Sequence, residues 1–282
     1  MTNTEQMDKS FLDEYNSEDA IRKYSTDTAG HGVNYLIQHE YARIYDEAIA
    51  ACLRTTKEPL RILEFGCGAG MNLIGLLARL ERQGITVREA YGTDFSATLI
   101  DKARREAEAF LPKRDRGHVN FHVARNENLS LDLAAASGIP ADRLFGSFDF
   151  IFGVNTFRYC HRLNKSNQCA DDILRLLRPG GICVMIDMND RFPLFRSHLK
   201  GTVESPEEAY LPSLEEYTTP FKHSGFEVLK STNFCWIPHS AGPALTGICR
   251  ALTPILNATV RSRAMRSLVV AKRPMAGKSA TH

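Results

Sequence analysis

Glu64 stands at the end of an apolar run and just before three glycines at alternate positions, in Ile62-Leu63-Glu64-Phe65-Gly66-Cys67-Gly68-Ala69-Gly70. Leu73, Ile74, Leu77 and Leu80 follow at helical spacing and Gly84 stops them. This pattern predicts a buried strand, a tight turn and a helix. Glycines allow the sharp turn and let a ligand lie against bare backbone. The helix start adds free N–H groups. A nucleotide-type ligand is the chemistry this stretch suits. A second acid, Asp94, lies 24 residues beyond Gly70 and closes the next expected strand, Val87 to Thr93. A carboxylate there accepts two hydrogen bonds at once, as a ribose diol requires.

The spacing excludes two nucleotide folds. A dinucleotide fingerprint needs glycine where Met71 stands. A phosphate-cradling loop needs Gly-Lys-Ser/Thr, which is absent. The form E-x-G-x-G-x-G resembles motif I of the class I, Rossmann-like methyltransferases that use S-adenosylmethionine (SAM). The resemblance covers nearly all of residues 58–273, strand by strand, and is closest to the small-molecule branch. It implies SAM as cofactor and a seven-stranded, mostly parallel sheet with helices on both faces. Cofactor contacts are implied at Glu64, Gly66, Cys67, Gly68, Gly70, Asp94, Phe95, Asn126 and Asn155. The family often has an acid for the adenine amino group after the third strand, Val119 to Val123. Arg125 takes that place here, and Asn126 is the substitute acceptor.

The elements around these residues follow from pattern. Phe148 to Val154 is an apolar fourth strand, and Asn155 to Arg162 is read as the loop at its carboxyl end, where open α/β sheets bind ligands. That loop holds Arg158, Tyr159 and His161, the candidate catalytic residues. An imidazole suits proton removal near neutral pH, and His161 also matches a histidine the family often places shortly after this strand. Ser130 to Phe145 adds a small helix. Ile173 to Leu177 ends a helix at Arg178-Pro-Gly-Gly, and Ile182 to Ile186 is the fifth strand. Ser213 and Glu216 form a capping box. Phe226 to Ser231 and Ser267 to Ala271 are the last two strands. Between them Thr232 to Arg263 is a long insertion, with a helix from about Ala244 to Leu252 stopped by Pro254. It is expected to be a substrate-side lid or the contact of a homodimer.

Residues 1–57 read as an N-terminal helical cap, 58–273 as the methyltransferase domain and 274–282 as a disordered tail. The cap holds a short helix to about Tyr24 and a second from about Asn34, whose stripe is Ile37, Tyr41, Ile44, Tyr45, Ala48, Ile49 and Cys52. Tyr15, Tyr24 and His31 in the cap, and His239 in the insertion, are candidate substrate contacts. So are Phe192, Phe195, Arg196, His198 and Tyr210 after the fifth strand.

Composition narrows the remainder. The 35 basic and 33 acidic residues nearly cancel, so nothing demands nucleic acid or an anionic membrane. The apolar runs are strand-length, and no segment is expected to span a bilayer. The amino terminus lacks the charge pattern of a signal peptide, and seven scattered cysteines without a C-x-x-C pair read as cytoplasmic thiols. No metal site is expected, since the residues after the fourth strand offer no carboxylate. Adenine-specific and cytosine-specific methyltransferase motifs are absent. The reading is methyl transfer to a small-molecule acceptor, at oxygen, with His161 as base. Two alternatives stay open: a SAM-fold enzyme with a different reaction, and an inactive SAM-binding assembly protein. Formation of S-adenosylhomocysteine with an acceptor present separates the first reading from both.

Overall fold

The computed structural model describes residues 39–193, 211–238 and 241–275. Tyr15, Tyr24, His31, Phe195, Arg196, His198, Tyr210 and His239 lie outside them, as does the short helix expected before Tyr24. The chain runs α1 (His39–Leu53), β1 (Leu60–Phe65), α2 (Met71–Arg82), β2 (Val87–Asp94), α3 (Ala97–Phe110), β3 (Val119–Val123) and α4 (Leu129–Ser137). It continues with β4 (Phe148–Val154), α5 (Phe157–Arg162), α6 (Ser166–Leu176), β5 (Leu177–Met188), α7 (Leu214–His223), β6 (Glu227–Phe234), α8 (Pro243–Thr259) and β7 (Arg266–Lys272). The seven strands lie in the order β3-β2-β1-β4-β5-β7-β6, parallel except for β7, which pairs antiparallel with both neighbours.

Every residue of β1 and β4 is buried, as befits central parallel strands covered on both faces. The two-residue period sorts their side chains. Ile62, Phe150 and Phe152 join the layer under α1 and α2, where Tyr45 meets both phenylalanines edge-on at 6.1 and 5.2 Å. Leu63, Phe65 and Ile151 join the opposite layer with Leu133, Ile173 and Leu176 from α4 and α6. Each such side chain contributes about 1.5–3 kcal/mol on burial.

Five expectations need revision. Phe157–Arg162 is a helix, not a loop: it contains no glycine or proline, and Phe157 and Cys160, three apart, bury one face. Ser130 to Phe145 holds two helices, α4 and a single turn at Ala141–Leu144. Strand β5 begins at Leu177, opposite Phe148, so Arg178-Pro-Gly-Gly lies inside it across a register shift. Strand β6 extends to Phe234, because Thr232, Asn233 and Phe234 find partners on β7. Pro254 does not stop α8. Proline removes one helical N–H donor, and α8, which buries no residue, continues past it to Thr259. Its Leu245, Ile248, Leu252 and Ile255 are exposed.

A polar joint closes the amino-terminal edge of the sheet. Asp149 accepts from the Arg61 backbone N–H at 2.7 Å and from the Arg178 guanidinium. The same guanidinium donates to Thr55 at 3.0 Å, and the Cys52 thiol donates to the Asp149 carbonyl at 3.2 Å. One carboxylate thus ties α1 to β1, β4 and β5. Asp149→Ala should cost about 3 kcal/mol, the low end for breaking a buried pair whose cation retains some water. Asp149→Asn, which still accepts from Arg61, should cost less. Urea denaturation should show a lower midpoint at unchanged slope for both.

Candidate active site

At the carboxyl edge the glycines of the first turn divide by purpose. Gly66 (φ +62) faces Thr156 so closely that a Cβ would lie 1.9 Å from its Oγ1. Gly70 (φ +78) faces the Phe121 ring, 2.7 Å from such an atom. Gly68 (φ +54) has nothing within 4 Å. The outer two are therefore needed for packing, and the middle one forms the floor of an open cradle. The Cys67 side chain is buried beside Gly92, its thiol pushed up by burial, and its N–H donates to the Thr93 carbonyl at 2.7 Å. The thiol donates to the Gly68 carbonyl at 3.5 Å, so the side chain braces the turn from below.

Two buried acids frame this cradle. Gly70 has no side chain to cap α2, and Glu64 does so from β1, its Oε2 accepting from the Leu73 N–H at 2.9 Å. Burial raises its pKa well above the usual carboxylate range, against the pull of Leu73 and Asn72. Asp94 accepts from the Gly68 N–H at 2.9 Å and from the Ser96 N–H at 2.9 Å. Burial pushes it up to about 6, against these donors and the Phe95 N–H. Ser96 caps α3 through the Leu99 N–H, which leaves Asp94 to the loop. Phe95 is half-buried beside it.

The turn after β4 completes the edge. Asn155 is left-handed (φ +56), and its Oδ1 accepts from Arg266 at 2.7 Å. Thr156 sits against Gly66 and accepts from the Asn126 amide at 2.5 Å. Thus Gly66, Asn126, Asn155 and Thr156 form one contiguous wall. An open glycine floor, a buried carboxylate and an amide on the wall fit a nucleoside with a diol and an exocyclic amine.

Arg158, Tyr159 and His161 all lie on α5, but their side chains have separate surroundings. Arg158 stacks over the Tyr159 ring at 4.6 Å and donates to its hydroxyl at 2.6 Å and to the Met188 sulfur at 3.0 Å. Its backbone N–H donates to Asp187, which burial raises and Arg158 and Arg266 hold down. The His161 ring meets Phe157 and Tyr217 edge-on at 5.2 and 5.5 Å, and its Nε2 is buried without a hydrogen-bond partner among the described residues. Burial lowers its pKa to about 4, with Glu216 pulling the other way. Asn189 donates to the Ser262 and Ala264 carbonyls, a structural role. Among the described residues no three side chains gather as metal ligands. Sequence patterns missed Thr156 and Arg266, and pointed to Asp187 only as an acid available after the fifth strand. A lone arginine opening an apolar strand carries no local signal of burial, yet Arg266 is 3% exposed.

The glycines make a paired prediction. Gly66→Ala should fail to fold stably, whereas Gly68→Ala, strained at φ +54 but unobstructed, should fold with a modestly lower melting temperature and lose SAM affinity through a methyl group in the cradle. Thermal melting and calorimetric titration with SAM check the two outcomes.

Residues 37–231 match a family profile described as a methyltransferase domain. Among curated proteins, the citrinin polyketide synthase of Monascus ruber is 30% identical over 154 residues, which is 55% of this chain and 5% of that protein. A probable methyltransferase of Aspergillus luteorubrus is 26% identical over 152 residues, 54% of this chain and 48% of that protein. The chain thus spans a small part of the curated polyketide synthases it matches. Among solved structures, the citrinin polyketide synthase CMeT domain has a TM-score of 0.51 at 21% identity, covering 78% of this chain and 48% of that one. A phosphoethanolamine N-methyltransferase of Haemonchus contortus, solved with SAM, reaches 0.57 at 16% identity over 94% of this chain and 60% of that one. These structural likenesses establish the fold alone. Since the profile covers well over half of the sequence and meets the glycine turn and its acids, the chain belongs to the class I, SAM-dependent methyltransferase family.

Proposed function

We propose that the protein methylates a small molecule at an acidic hydroxyl, a phenol or an enol, with His161 taking the proton. The observation that carries this reading is the buried Nε2 of His161, unpartnered among the described residues, on the helix that leaves the carboxyl end of β4. SAM, when bound, supplies the methyl group as an electrophile on a positively charged sulfur. Gly68 would lie under it, Asp94 would accept from its ribose hydroxyls, and Asn126, whose amide nitrogen is occupied by Thr156, would offer its carbonyl oxygen to the adenine amine.

The pKa of His161 restricts the acceptor. A histidine held near 4 is neutral at physiological pH and ready to accept a proton, but it is a weak base. A hydroxyl with a phenol-like pKa of about 10 is within reach of such a base far more readily than an aliphatic alcohol. An enol acceptor also admits transfer to the adjacent carbon. The likeness to a domain called CMeT favours that second reading, and the methylated atom in the product distinguishes the two.

His161→Ala should cut the maximal rate by about 10²–10⁴-fold and leave SAM affinity nearly unchanged. The acidic limb of the wild-type pH–rate profile should fall near pH 4 and vanish in the variant. Survival of that limb refutes the base assignment. Asp94 makes the complementary prediction. Its pKa of about 6 means that the carboxylate is lost as pH falls through 6, so SAM affinity should weaken there. Asp94→Asn should bind more weakly, by about 1.5–3 kcal/mol, and show no such pH dependence in calorimetry.

A further inference from the structure

Arg266 opens β7 and lies opposite Met188 of β5 and Phe234 of β6, at the sheet edge that carries the cofactor turn. It is almost fully buried, beside Asp187, which has no exposed surface. A buried arginine needs its donors satisfied. Its Nε donates to the Tyr41 hydroxyl on α1 at 3.0 Å, and its Nη1 donates to the Asn155 side chain at 2.7 Å. Tyr41 packs edge-on against Phe234 at 5.1 Å, so the α1 end of this link is itself fixed.

The Asn155 end leads to the cofactor turn. Asn155 adopts a backbone conformation that L-residues seldom hold, at φ +56. Its N–H is tied to the Ile186 carbonyl at 2.8 Å and its side chain to Arg266, so both ends of the residue are held. The next residue, Thr156, fills the space that Gly66 leaves open. A shift of Asn155 would therefore move Thr156 against, or away from, the first glycine of the cradle.

We propose that Arg266 is a positioning residue: it holds the Asn155–Thr156 turn in register against Gly66, and through Tyr41 it makes the cofactor turn depend on the docking of α1. The inference rests on the reading that SAM lies on this turn. It also supplies a reason for a guanidinium rather than an ammonium. A planar fork reaches Tyr41 and Asn155 together, which a single lysine nitrogen does not.

Arg266→Lys is the informative variant, because it keeps a positive charge beside Asp187 and so protects the fold. Its SAM affinity should fall by about tenfold or more in calorimetry, the scale of a lost hydrogen bond to a charged group. Hydrogen exchange of residues 155–162, measured without ligand, should quicken while the melting temperature stays close to wild type. Adding Asn155→Ala to Arg266→Lys should weaken SAM little further, because both act through one contact. Tyr41→Phe should produce a smaller loss in the same direction. Unchanged affinity in Arg266→Lys despite a loosened turn overturns the proposal, and so do independent, multiplying losses in the double variant. An unaffected Tyr41→Phe overturns the link to α1. Should the wild type itself take up no SAM while the turn still loosens in Arg266→Lys, the failure belongs to the cofactor reading, and the positioning role falls with it.

Discussion

The capping of α2 by Glu64 is the interaction on which the rest of the carboxyl edge depends. A helix beginning directly after a strand leaves backbone N–H groups unsatisfied, and the residue at the cap is a glycine that has nothing to offer. Glu64, the penultimate residue of β1 and 1% exposed, accepts from one of them, the Leu73 N–H. This arrangement sets the distance between strand and helix and forces the chain between them through three left-handed glycines. The negative end of that contact also suits the positive end of the helix dipole. Desolvation opposes the charged form, so the acid is held by its donors against a raised pKa. Glu64 is thus a structural member of the glycine turn, and Asp94 is the acid that remains beside the open cradle.

Sequence patterns were legible where they arise from periodicity or from a fixed local geometry. β3 and β4 have the expected bounds, and Ser213 and Glu216 make both hydrogen bonds of their capping box. The buried stripe of α1 contains Tyr41, Ile44, Tyr45, Ala48, Ile49 and Cys52, all read from spacing alone. Cues based on single residues were weaker. Pro254 suggests a helix stop, yet α8 runs through it to Thr259. Asn155 to Arg162 looked irregular because its polar residues conceal two apolar ones a turn apart, Phe157 and Cys160. Arg266 and Asp149 were illegible for a different reason: their partners lie 111 and 88 residues away in the chain. Only the assembled sheet brings such pairs together.

Charge is distributed unevenly across the two ends of the sheet. At the amino-terminal edge Asp149 meets one guanidinium directly and the joint is locally balanced. At the carboxyl edge Asp187 faces two, Arg158 and Arg266, and His161 nearby is kept neutral by burial. A buried cation in excess costs solvation energy unless hydrogen bonds or an anion offset it. The Tyr159 hydroxyl, the Tyr41 hydroxyl and the Asn155 carbonyl supply acceptors without adding charge. Glu64 and Asp94 stand on the same edge, so the two guanidiniums exceed the acids only in the immediate surroundings of Asp187.

Backbone strain follows the same division. Among the described residues the non-glycine positions with positive φ are Asn155, Asn164 and Cys235. Asn155 follows β4, Asn164 follows α5, and Cys235 follows β6, which runs parallel to β4 through its antiparallel neighbour. Each such conformation costs on the order of 1–3 kcal/mol and persists only when its surroundings over-determine it. The determinants are visible. The Asn155 side chain is held by Arg266, the Asn164 N–H by the His161 carbonyl, and the Cys235 carbonyl by the Met265 N–H, the residue before Arg266. The start of β7 thus restrains two of the three strained positions.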